Sequence, residues 1–68
     1  MITVRVGRLP GRITEFVLED GVTVAQALEI AELDPTGYEI RVNGATTAEV
    51  ATLEDEDIVL LVKKIKGN

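Results

Sequence analysis

The 68-residue sequence contains no cysteine, histidine, serine or tryptophan. Their absence excludes serine and cysteine nucleophiles, disulfides, and metal sites built from thiolates or imidazoles. Carboxylates, threonines, lysines and a single tyrosine, Tyr38, are what remain for chemistry. The sequence therefore predicts a protein that is not an enzyme and that carries no metal or other cofactor.

Long apolar runs are also missing from the chain. No segment approaches the roughly 20 apolar residues that a membrane span requires. The first residues, Met1 to Val6, alternate apolar and polar side chains and lack the charged lead and apolar run of a signal peptide. We therefore expect a cytoplasmic protein.

Positive charge is scarce, with seven basic residues against twelve acidic ones, a net charge of −5. Such a chain is repelled by phosphate backbones, so nucleic acid is not an expected partner. The basic residues concentrate near both ends of the chain, as Arg5, Arg8, Arg12, Lys63, Lys64 and Lys66. They would gather on one side if the first and last strands pair, although a solvated surface is the simpler interpretation. The acidic stretch 54–57 lacks the ligand spacing of a calcium loop and is interpreted as a solvated turn.

Length and composition predict one folded domain over residues 1–68. The chain is 46% hydrophobic, which suffices for a small packed core. The first strand is predicted over Ile2 to Val6, and a turn at Leu9-Pro10-Gly11 leads into a second strand over about Arg12 to Leu18. Two registers compete in that second strand, and we favour the one that turns Phe16 and Leu18 inward.

A helix is predicted to begin after Thr23, because Thr23 and Gln26 form a capping-box pair. Apolar residues recur at helical spacing up to Ala31, and Asp34 to Gly37 should end the element. A third strand over residues 38–42, the tight turn Asn43-Gly44, a short edge strand within 45–52 and a last strand over 58–65 follow. The predicted core consists of Val4, Val6, Phe16, Leu18, Val24, Leu28, Ile40, Val59 and Leu61.

This order of elements is that of an α+β, β-grasp domain. The crossover rules allow the first and last strands to lie parallel at the centre of a mixed sheet of four to five strands, with one helix packed across it.

The chain resembles the β-grasp sulfur carriers, namely the thiamine-pathway carrier and the small subunit of molybdopterin synthase, which are ubiquitin-like. The resemblance covers nearly all 68 residues and is carried by the stretch 19–24 before the helix, Arg41-Val42-Asn43-Gly44, and the stretch 53–67. It implies a protein that acts through its C-terminal tail, here Ile65, Lys66, Gly67 and Asn68, on an activating (adenylating) partner enzyme. Nothing apolar lies beyond Ile65, so we expect the stretch from Lys64 to Asn68 to be flexible.

The last residue separates two hypotheses about function. Carriers of this family end in Gly-Gly, whose terminal carboxylate is adenylated and then converted to a thiocarboxylate. Gly67 matches the penultimate glycine, whereas Asn68 departs from the terminal one and should obstruct the channel that admits glycine. The conjugation chemistry would then be lost, although the tail-dependent role remains the first hypothesis.

The alternative hypothesis is a non-conjugating interaction module that binds a partner protein through its sheet face. If Val59 and Leu61 point inward, then Ile58, Leu60 and Val62 point outward. Arg5 and Arg41 are predicted at the rim of that apolar centre, and clustered exposed apolar residues commonly mark a contact site. Coverage by a loop of the same chain is the competing interpretation.

Overall fold

A computed structural model describes residues 1–64. Of the stretch 64–68 for which flexibility is predicted, residues 65–68 lie outside the described residues. The elements, in chain order, are strand β1 (Ile2–Leu9), strand β2 (Ile13–Leu18), helix α1 (Val24–Ile30) and strands β3 (Tyr38–Val42), β4 (Ala45–Thr46) and β5 (Ile58–Lys63).

The strands form one mixed sheet in the order β2-β1-β5-β3-β4. β1 and β5 are parallel, with Val6 opposite Val59, while the other neighbouring pairs are antiparallel. The predicted β-grasp arrangement, with the first and last strands adjacent near the centre, is therefore confirmed.

The first hairpin differs from its prediction in the length of β1. The strand continues through Gly7 to Leu9, three residues beyond the predicted end at Val6. Gly7 has no side chain, so the alternation of apolar and polar residues stops there and does not indicate that the strand continues to Leu9. β2 approaches so closely that a Cβ built on Gly7 would lie 2.6 Å from the Cα of Ile13, so only glycine fits there.

Helix α1 begins as its capping residues require. The backbone N–H of Gln26 donates to Oγ1 of Thr23 (3.3 Å), and the backbone N–H of Thr23 donates to Oε1 of Gln26 (2.9 Å). The predicted capping box is thus present in full. Val24, Ala27 and Leu28 form the buried face of the helix, which covers one side of the sheet.

The core lies between α1 and that side of the sheet. Eight of the nine predicted core residues are buried there, and Phe16 is the correction. It is only half-buried against the core, because β2 is an edge strand and, within residues 1–64, no further strand covers its outer side. The buried set also includes Val22, Ala27 and Leu53.

The acidic stretch 54–57 is fastened to the start of β1 by hydrogen bonds. The backbone N–H of Thr3 donates to Oδ1 of Asp55 (2.8 Å), and the N–H of Glu56 donates to the carbonyl of Thr3 (2.6 Å). The N–H of Arg5 donates to the carbonyl of Asp57 (3.0 Å). These bonds set β1 beside the strand that follows the turn, so the stretch has a structural role. Among residues 1–64, no three acidic side chains are grouped closely enough to hold a metal ion.

Candidate functional site

The two faces of β5 have different environments. Val59 and Leu61 are fully buried beneath α1, whereas Ile58, Leu60 and Val62 are half-buried on the opposite side of the sheet. Because side chains alternate along a strand, these three residues form an apolar row on the face of the sheet opposite α1. We call this side of the sheet the open face.

The strands on either side of β5 complete the open face. Leu60 lies between Gly7 of β1 and Arg41 of β3, and Ile58 lies opposite Arg5. The structure therefore brings the five residues predicted for partner binding onto one surface, with the arginines beside the apolar row. Their role in binding stays a prediction.

Sequence reasoning missed three exposed apolar residues of this surface, Leu9, Ile13 and Val17, which are 40%, 44% and 60% exposed. Leu9 lies opposite Val62, and Ile13 lies opposite Gly7 across the hairpin. They could have been found from the alternation of side chains in β1, if that alternation is continued past Gly7 to Leu9 and across the hairpin to β2. Gly7 leaves room for the backbone and side chain of Ile13, whose Cγ1 would lie 2.8 Å from a Cβ built at that position.

One side of the open face carries a polar network around Glu39. Its Oε2 atom accepts hydrogen bonds from the hydroxyl of Thr46 and from Nε of Arg41, the latter at 3.1 Å. The hydroxyl of Thr46, then the Arg41 side chain, and the more distant charge of Lys64 hold the pKa of Glu39 below its ordinary value. The carboxylate is thus kept ionised, and it orients Arg41 beside Leu60.

Basic side chains gather at the end of the sheet from which β5 leads to the tail. β1 and β5 are parallel, so their carboxyl ends meet at the same edge, with Arg8 opposite Leu61. Arg12 follows in the adjoining hairpin loop, and Lys63 and Lys64 end the described chain. Arg5 is the exception among the first dozen residues, because β1 is long and Arg5 lies toward the acidic turn at the other end.

The described chain stops shortly after this basic end. The backbone N–H of Lys64 donates to the carbonyl of Gly37 (3.2 Å), which ties the exit of β5 to the loop before β3. The tail residues Ile65, Lys66, Gly67 and Asn68 follow it in the sequence and lie outside the described residues. No helix within residues 1–64 is both long and apolar enough to cross a membrane.

Solved structures with the same architecture include two of a small archaeal modifier protein. The H. volcanii small archaeal modifier protein 1 superposes with a TM-score of 0.75 at 14% identity, covering 96% of this chain and 100% of the other. SAMP1 from Haloferax volcanii gives 0.74 at 14% identity, covering 97% and 99%. The ubiquitin of Caldiarchaeum subterraneum gives 0.65 at 15% identity, covering 98% of each chain.

The fold is the ubiquitin-like β-grasp. None of the protein-family models matches the sequence, and no curated protein matches it either. At 14–15% identity the structural likeness shows the fold alone, so the role of this ubiquitin-like chain has to be argued from its own residues.

Proposed function

We propose that this chain is a ubiquitin-like carrier or modifier protein that acts through its C-terminal tail on an activating partner enzyme in the cytoplasm. The observation that carries the proposal is the placement of β5. The strand runs through the middle of the sheet, is anchored by buried Val59 and Leu61, and leads directly into the tail. A rigid strand of this kind fixes where the tail begins relative to the rest of the domain.

The charges around the exit of β5 support docking of this end against another protein. Arg8, Arg12, Lys63 and Lys64 give a basic surface to a chain whose net charge is −5. A partner with an acidic surface around its reaction site would be attracted to this end, and the acidic turn 54–57 at the other end would be repelled. The proposed partner chemistry is therefore an acidic rim around a narrow channel that admits the tail.

The proposed role of the tail is tested by exchanging Asn68. An activating enzyme from the native host is mixed with the protein and ATP, and ATP–pyrophosphate exchange is measured. Asn68→Gly should raise the exchange rate by at least about tenfold, because glycine lets the backbone approach ATP closely. A tenfold increase corresponds to an activation free energy that is lower by about 1.4 kcal/mol. Asn68→Ala is the matched control, and it should restore less activity since it retains a Cβ. Equal rates for all three proteins would contradict a channel selective for glycine.

If the protein is a sulfur carrier, its terminal carboxylate should be converted to a thiocarboxylate in the host. Intact-mass analysis of the protein purified from its host should then find sulfur in place of oxygen at the terminal carboxylate. A protein that is never activated, even with Asn68→Gly, and that still binds a partner through the sheet would favour the second candidate function.

That second candidate is a non-conjugating interaction module that uses the open face. Leu60 and Val62 are half-buried there, and Leu9 and Ile13 surround them with 40% and 44% of their surface exposed. Within residues 1–64 the one helix, α1, packs on the other side of the sheet, and neither Leu60 nor Val62 belongs to the hydrophobic cluster beneath it. An apolar surface with arginines at its border suits a protein partner.

A further inference from the structure

The two edges of the sheet offer very different surfaces to another strand. The edge strand β4 has two residues, whereas β2, at the opposite edge, has six. Within residues 1–64, β2 is paired with β1 alone. Its outer side therefore presents backbone donors and acceptors over its whole length.

The residues that present these groups follow from the hairpin register. The N–H of Arg8 donates to the carbonyl of Arg12 (3.3 Å), one position beyond the pair Gly7–Ile13. Hydrogen-bonded pairs alternate with non-bonded pairs in an antiparallel ladder. The backbone groups of Ile13, Glu15 and Val17 must then point outward, away from β1.

Apart from the central charge of Glu15, β2 has none of the usual features that block edge-to-edge pairing. Proteins protect such edges with lysine, proline, bulges or very short strands. The sequence of β2, Ile-Thr-Glu-Phe-Val-Leu, contains a single charge, Glu15, and all six residues pair with β1 without a bulge. Val17 is 60% exposed and Ile13 is 44% exposed, so the edge is both unprotected and apolar.

We propose that the outer edge of β2 pairs antiparallel with β2 of a second copy of this chain, with Glu15 on the two-fold axis. In this register the outward-facing backbone groups of the two strands meet each other. Ile13 of each copy lies opposite Val17 of the other, so two pairs of exposed apolar side chains cover one another on the open face. The two five-stranded sheets become one continuous sheet of about ten strands.

The side chains on the helix side of the edge fit the same register. Thr14 of each copy lies opposite Phe16 of the other, an aromatic and β-branched pair of the kind that stabilises sheets. A cavity of about 160 Å³ adjoins Thr14, and its walls include Phe16 and Leu33. The half-buried Phe16 thereby gains the covering that its own chain does not supply.

Charges at the two ends of β2 make the edge complementary to itself. Arg12 comes directly before the strand and Glu19 directly after it, and both are exposed. In this register Arg12 of one copy lies opposite Leu18 of the other, one position from Glu19, so the opposite charges are diagonal neighbours twice in each dimer. This complementarity favours a second copy as the occupant, since one sequence supplies both halves of each contact.

Two features oppose the contact and keep it weak. The two Glu15 carboxylates face each other at the axis, although each also lies opposite Arg5 across the hairpin. The net charge of −5 repels a second copy, but salt screens this repulsion beyond about 8 Å at physiological ionic strength. We therefore expect a reversible dimer that forms with rising concentration.

The first experiment measures the sedimentation coefficient by analytical ultracentrifugation over about a hundredfold range of protein concentration. The wild-type protein should shift from monomer to dimer. Val17→Lys places a lysine on the edge and should weaken the dimer at least tenfold, whereas Val50→Lys, an identical change at an 82% exposed residue outside the sheet, should leave it unchanged. Glu15→Gln removes the repulsion at the axis and should tighten the dimer.

The second experiment tests the register by exchanging charges. Arg12→Glu and Glu19→Arg should each weaken the dimer, because every end contact then joins like charges. Mixing the two variants in equal amounts should restore dimers, since both end contacts of the mixed dimer regain opposite charges. A change in the fold of either monomer could not produce this recovery.

Three results would overturn the proposal. They are a wild-type protein that stays monomeric at every concentration, a dimer that tolerates Val17→Lys, and a mixture of the two charge variants that stays monomeric. A dimer lost with Leu60→Glu but kept with Val17→Lys would place the contact on the open face, which also contradicts pairing through β2.

Discussion

The two faces of β5 show how one apolar run serves two surfaces. Toward α1, Val59 and Leu61 are completely buried and pack with Leu28 of the helix. Toward the other side, Leu60 and Val62 lie beside their neighbours in the sheet and are only half-buried. The run of five apolar residues from 58 to 62 therefore belongs to a strand with one structural face and one accessible face, and substitutions at adjacent positions should separate the two.

The largest expected effect is on the helix side of this comparison. Leu61→Ala or Leu28→Ala removes a buried side chain and leaves a cavity, which should lower the free energy of unfolding by about 2–5 kcal/mol. Leu60→Ala, one residue away, is the matched control and should cost about 1 kcal/mol, because its side chain is already partly in water. Urea denaturation measures all three, and similar losses at positions 60 and 61 would show that the two faces do not differ.

The next largest effect should appear on the open face as lost binding. Leu60→Glu places a charge in the centre of the apolar row and should weaken binding of an open-face partner by at least about 2 kcal/mol, as at other interface centres. The variant should keep the dispersed amide spectrum of a folded protein, whereas Leu61→Glu should lose it. Titration calorimetry with a partner isolated from the native host gives the affinity, and Thr47→Glu, outside the strands, is the control. Unfolding by Leu60→Glu would mean that Leu60 belongs to the core.

A smaller effect should follow from weakening the start of the helix that covers the structural face. Thr23→Ala removes the side-chain oxygen that accepts from the N–H of Gln26, and it should cost about 1 kcal/mol of unfolding free energy. Thr23→Ser keeps that oxygen and serves as the control. Open-face binding should be unchanged in both variants, so a parallel loss of binding and stability would couple the two faces.

The smallest effect concerns the pH dependence of the open face. The pKa of Glu39 is lowered in the folded state by the hydroxyl of Thr46 and then by Arg41. Its contribution to stability is therefore complete above the pKa of a free glutamate, about 4.3, and is lost as pH falls through the lower folded value. Glu39→Gln should remove this part of the acid dependence, as NMR titration and acid denaturation can measure. Asp34, whose pKa is lowered mainly by the backbone N–H of Thr36, should titrate as before.

Local sequence signals predicted much of the fold. The capping box at Thr23 and Gln26 and the turn at Asn43-Gly44 depend on neighbouring residues, and both are present, with Asn43 and Gly44 at φ values of 53° and 88°. The inward orientation of Val59 and Leu61 followed from alternation, which needs only the strand itself. Elements of this kind can be predicted because their causes lie within a few residues.

Features that depend on distant residues could not be predicted in the same way. The half-burial of Phe16 depends on β2 lying at the edge of the sheet, which is a property of the whole topology. The exposed positions of Leu9 and Ile13 on the open face depend on Gly7, which allows β2 to pass close to β1. The residues of the candidate site were thus found in part, and those contributed by the hairpin were missed.

The central pairing of β1 with β5 also determines when the domain can fold. Thr3 and Asp55, which fix the start of this pairing, are 52 positions apart in the sequence. The β1–β2 hairpin and the β3–β4 pair can form early, but β1 keeps an open inner edge until β5 arrives, and such long-range closure is slow. During synthesis the inner edge of β1 therefore stays unpaired until β5 has been made. We expect the nascent chain to be most prone to aggregate during that interval.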